Sequence, residues 1–120
     1  MILPDYNRCV LNTAATLLRH YGAPTPYAAL PELAGPLAQR PRHVILLVLD
    51  GLGAVSLTEL LAPGDFLPAH QLTTLTSVLP STTAAAMNAY DSGLSPAEHG
   101  WLGWSCYIKE YARAVDLFLN

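Results

Sequence analysis

The stretch 43–53, HVILLVLDGLG, decides how the rest of the chain is read. Val44 to Leu49 is an uninterrupted apolar run rich in branched residues, bounded by a histidine and by Asp50-Gly51. Continuous apolar character over six residues predicts a strand covered on both faces, as in a parallel sheet flanked by helices. The Gly51-Leu52-Gly53 turn then leads into a helix expected over Ala54 to Leu61, closed by Pro63-Gly64. A carboxylate at the carboxyl end of a central strand lies where open α/β sheets place their ligands. Burying it without a partner is costly, so Asp50 calls for a cation.

Downstream, 71–79 (QLTTLTSVL) mixes threonines with apolar residues in the manner of a second strand. It delivers the chain to Pro80 and the hydroxyls of Ser81, Thr82 and Thr83, ahead of a small-residue helix that runs to about Ser92 and stops at Gly93. A hydroxyl at a helix mouth is most often an N-cap. It is also where backbone N–H groups and the helix dipole favour a phosphate. Strand, helix, strand, helix with a right-handed crossover sets Asp50 and the Ser81–Thr83 cluster side by side on one sheet edge.

Upstream, Val10, Leu11, Ala14, Leu17, Leu18 and Tyr21 recur at helical spacing. They predict a helix from Arg8 to Tyr21, capped by Asp5 or Asn7 and ended by Gly22. A connection rich in proline and alanine follows to Arg42, with one short helix near Tyr27 to Leu33. After Gly100, the expectation for 104–120 is a hairpin turning near Lys109-Glu110, in preference to one helix, with Trp101, Trp104, Tyr107 and Tyr111 packing as core aromatics. The fold class is thus α/β, organised as one domain: 1–42 a helix and connection, 43–103 a βαβα core, 104–120 a hairpin.

Composition narrows the function. The chain has 120 residues, of which 52% are hydrophobic and only 12% charged, about half the usual charged share. A domain of this size ordinarily needs a more polar surface, which suggests apolar faces covered by something outside the sequence. The chain reads as an incomplete domain. A formal net charge of -3 argues against a nucleic-acid footprint, and no basic run suggests an anionic membrane. The longest apolar run is too short to span a bilayer, and the N-terminus lacks the pattern of a secretory signal. Cys9 and Cys106 have neither zinc-finger nor redox spacing, so free thiols in the cytoplasm are expected.

In chemical terms, a hydroxyl is a poor nucleophile until a metal or a base takes its proton. None of His20, His43, His70 or His99 forms a metal-ligand pair in sequence. Asp50 beside Thr83 suits attack by a metal-activated alkoxide on phosphorus.

HVILLVLDGLG followed by SVLPSTTAAAMNAYDSGLSPAEHG resembles the type I phosphodiesterase/nucleotide pyrophosphatase group of the alkaline phosphatase superfamily. The resemblance rests on Asp50-Gly51, on Pro80-Ser81-Thr82-Thr83, and on Gly93-Leu94-Ser95-Pro96-Ala97-Glu98-His99-Gly100, in that order, and covers about half of the chain. It implies the N-terminal portion of an alkaline-phosphatase-like fold and metal-dependent hydrolysis of phosphate esters or nucleotides. It also implies two divalent metal ions, zinc by preference, with Asp50 and Thr83 as metal ligands and Thr83 as the nucleophile. Thr82 takes that role if the alignment shifts by one residue. Ala86 stands where eukaryotic-type members carry an asparagine that holds a phosphate oxygen. The family's remaining metal ligands come from later in its domain than this chain reaches, so the 120-residue piece alone is expected to be inactive or nearly so.

Other readings fit less well. A dinucleotide site needs glycine where Ser56 stands, an aspartyl phosphatase needs aspartate at Leu52, and a sulfatase needs an arginine that does not follow Pro80. Outside enzymes, the competing reading is a non-catalytic fragment or interaction module of the same fold, supported by the low charge. His99 reads as structural, Glu98 as surface, and Asp91 as facing solvent or a cation.

Overall fold

The structure, a computed structural model, describes residues 3–116. It is built of helices with one small antiparallel sheet. The first helix, α1, covers Val10–His20. It starts two residues later than the spacing predicts, because Asp5 is used elsewhere. The Asp5 carboxylate accepts from Asn7 N–H at 3.0 Å and its carbonyl from Arg8 N–H at 2.8 Å, closing a turn ahead of the helix. The cap is supplied from inside, with Cys9 N–H donating to Asn12 Oδ1 at 2.8 Å. At the other end Gly22, at φ +77°, closes α1 with Ala23 N–H bonded to Leu18 O and Gly22 N–H to Arg19 O. That pair is the Schellman arrangement, and it needs a residue tolerant of the left-handed conformation.

The second helix, α2, spans Pro31–Ala38 rather than Tyr27 to Leu33. Pro31 explains the shift: its fixed φ and missing N–H suit the first helical position and nothing earlier. The connection before it is held to α1 by a buried polar network. Asn12 Nδ2 donates to Ala28 O at 3.0 Å, and the Thr16 hydroxyl accepts from Leu30 N–H at 2.8 Å. Then come α3 (Ala54–Leu60) and α4 (Phe66–Ala69), both without buried residues.

The core forms where α1 meets α5 (Thr83–Ser92). Cys9, Leu11, Val78, Ala85 and Ala89 are fully or almost fully buried. Alanines on α5 let the two helices approach closely. Gly93, the stop of α5 at φ +68°, would place a Cβ 2.6 Å from Leu18 Cδ1, so the site admits only glycine without rearrangement. The short α6 (Pro96–His99) packs on α5. The chain then forms β1 (Ser105–Ile108), a 3-10 turn over Lys109–Tyr111, and β2 (Arg113–Asp116), paired antiparallel with Ser105 opposite Asp116. The hairpin turns where expected; the part of that reading from 117 to 120 lies outside the described residues. Trp104, Tyr107 and Tyr111 are exposed and Trp101 is half-buried, so the cluster is not a set of core aromatics.

The parallel sheet is the correction. Among the described residues the parallel pairing is a single bridge, Cys9 with Thr76, and Val44 to Leu49 form no ladder. Ile45 is 89% exposed and Leu47 75%. Residues of 46–54 and 71–75 line one open cavity of about 890 Å³, and among the described residues no ladder joins the two segments read as strands. The reason is physical: branched apolar residues favour an extended backbone locally, but a ladder depends on a neighbour that local sequence does not supply.

Candidate active site

Asp50 follows the exposed apolar segment and sits at the second position of a turn, with Leu52 N–H bonded to Leu49 O at 3.4 Å. Gly51, at φ +77°, takes the third position, where a type II turn needs a positive φ. The carboxylate therefore projects from a tight corner and is solvent-exposed.

Thr82 and Thr83 open α5 with distinct roles. Thr82 is the N-cap, in extended conformation, and its Oγ1 accepts from Ala85 N–H at 3.2 Å. The same hydroxyl donates to Leu102 O at 3.0 Å, so its one proton is committed. Thr83 is the first helical residue, half-buried, and its Oγ1 donates to Asp50 Oδ2 at 3.2 Å, across 33 residues of sequence. The structure thus brings together the two residues that sequence reasoning singled out. Ser81 and Ala86 border the same cavity as Asp50.

His99 and Glu98 flank this arrangement. His99 Nδ1 accepts from Trp101 N–H at 3.1 Å, which leaves the proton on Nε2 to be donated to Ala85 O at 3.2 Å. Glu98 is at the surface but held through one oxygen: its Oε2 accepts from Ser95 N–H at 2.7 Å, from the Ser95 hydroxyl at 2.6 Å and from the Tyr27 hydroxyl. These donors, Ser95 first, pull its pKa down to about 2. Tyr27 in turn is pushed up, by burial and then by that carboxylate. Ser95-Pro96-Ala97-Glu98 is a capping box, and the S-x-x-E spacing was the signal for α6 that periodicity alone did not show. Asp91 is exposed, at the end of α5.

Two oxygens about 2.0 Å from a tetrahedral zinc lie roughly 3.3 Å apart. The 3.2 Å between Thr83 Oγ1 and Asp50 Oδ2 therefore suits two adjacent donors on one divalent ion. Among the described residues no group of three or more His, Cys, Asp or Glu side chains is arranged to hold a metal. No helix among them is long and apolar enough to cross a membrane. No protein-family model, curated protein or solved structure matches the chain.

Proposed function

We propose that this chain carries the nucleophile half of a metal-dependent phosphate-ester hydrolase, of the phosphodiesterase/nucleotide pyrophosphatase kind that its sequence resembles. The observation that carries the reading is the hydrogen bond from Thr83 to Asp50 at the N-terminus of a ten-residue helix. Thr83 is the attacking hydroxyl. Its proton points at the Asp50 carboxylate, which leaves the oxygen lone pairs free for phosphorus. The first N–H groups of α5 favour the negative charge of the bound ester. A divalent ion, zinc by the resemblance, would be held by Asp50 and Thr83 together with donors from elsewhere, and when bound it lowers the pKa of an oxygen attached to it. The two free cysteines agree with a cytoplasmic setting.

A second reading, a non-catalytic interaction module, is favoured by the exposed apolar residues Ile45 and Leu47. One experiment separates the two. Hydrolysis of bis(4-nitrophenyl) phosphate by the chain is measured with Zn2+ or Mn2+, with and without a chelator, beside the Thr83→Ala and Asp50→Asn variants. On the enzymatic reading any turnover is slow and chelator-sensitive, both substitutions abolish it, and Zn2+ binding to the native chain is weakened by Thr83→Ala and Asp50→Asn. Turnover surviving Thr83→Ala excludes Thr83 as nucleophile, and Zn2+ binding that is absent or unchanged by Thr83→Ala and Asp50→Asn favours the module.

A further inference from the structure

We infer that Thr82 and His99 are positioning residues that clamp the first turn of α5 to the loop after α6 and so hold the Thr83 hydroxyl on Asp50. This rests on the reading of Thr83 as the reacting hydroxyl. An ordinary N-cap needs only an acceptor. Thr82 does more, because the hydroxyl that accepts from Ala85 N–H also donates to Leu102 O. His99 closes the ring from the other side, donating to Ala85 O through Nε2 and accepting from Trp101 N–H at Nδ1. Four hydrogen bonds thus join one fully buried helix residue, Ala85, to two consecutive loop residues. Both the N–H and the C=O of Ala85 are gripped.

The consequence falls on Thr83, which lies between Thr82 and Ala85 in the same turn. With the backbone on both sides fixed, its remaining freedom is χ1, which a helical threonine divides between two rotamers. The clamp fixes where those rotamers place Oγ1, and the 3.2 Å contact with Asp50 selects between them. A loss of the clamp swings the hydroxyl without removing it. Misplacement of a reacting group by about 1 Å costs on the order of 10²-fold in rate.

The test has one readout that needs no turnover. The methyl resonance of Thr83 is followed by NMR in the metal-free chain, with Asp50→Ala marking its position when the contact is broken. Thr82→Val and His99→Ala are expected to move it toward that mark, while Thr82→Ser and His99→Gln keep it near the native position. Thr82→Asp retains an acceptor for Ala85 N–H and deletes only the donation to Leu102, so it stays informative if Thr82→Val does not fold. A Thr83 resonance unmoved in folded Thr82→Val, or in Thr82→Asp, overturns the clamp. In the phosphodiester assay, Thr82→Val is expected to lower kcat by about 10²-fold, with KM changed less than about twofold and Thr82→Ser restoring most of the rate. An equal rise in KM with kcat unchanged also overturns it. If the native chain shows no turnover, as its incomplete ligand set leads one to expect, the nucleophile reading is tested by Zn2+ binding, and the clamp stands or falls on the resonance.

Discussion

Glu98 shows how much one surface carboxylate can organise. Three donors converge on it, and its pKa lies at about 2 against an ordinary 4.5. A depressed carboxylate pKa contributes stability that is present above the unfolded value and is lost as pH falls through the folded one. Urea unfolding followed by circular dichroism is therefore expected to show a loss of stability between pH 4.5 and about 2, and Glu98→Gln is expected to flatten that part of the profile. An equally steep profile in the variant would remove Glu98 as its source. Asn12 is the buried counterpart. Its truncation to alanine orphans Cys9 N–H and Ala28 O at once. Cys9 is buried, but Ala28 is exposed and its carbonyl can turn to water. At about 1–3 kcal/mol for one unsatisfied buried group, Asn12→Ala should cost roughly that much in the same unfolding measurement.

At the level of elements, α1, α3 and α5 were legible because their signals are local, whereas α2 was placed too early and the four-residue α4 and α6 were missed. Apolar spacing over Val10 to Tyr21 and the glycines at 22 and 93 mark α1 and α5 to within two residues. The Asp50–Thr83 contact was legible too, though by a different route from the one expected. A parallel sheet was to bring them together; a type II turn and a helix N-terminus do so instead. What local sequence does not hold is pairing, because a ladder at Val44 to Leu49 depends on residues remote in the chain. The roles of Thr82 and Thr83 also separate only in three dimensions, since two adjacent threonines offer the same hydroxyl. The packing of α1 on α5 carries its own test. Gly93→Ala meets both a left-handed backbone and Leu18, and is expected to destabilise by more than about 1 kcal/mol. Gly64→Ala, with open space around it, is expected to stay within about 0.5 kcal/mol.

The whole molecule is more extended than its length warrants. Its radius of gyration is 16.0 Å, where about 14 Å is usual for a compact chain of 120 residues. Its accessible surface is 8475 Å², against roughly 6,300 Å² expected for a folded monomer of this mass. Part of that excess lies on the segment that carries Asp50, where Ile45, Leu46, Leu47 and Leu49 are all exposed. Six apolar residues with open backbone edges form a template on which identical chains can stack. Charges at either end oppose this: Arg40 and Arg42 stand before the run and Asp50 after it, as gatekeepers do around hydrophobic strands. Asp50 therefore guards solubility as well as contacting Thr83. Asp50→Asn removes the charge and keeps an acceptor for Thr83, while Asp50→Ala removes both, so each is to be assayed at low protein concentration, where loss of chemistry is not confused with loss of monomer.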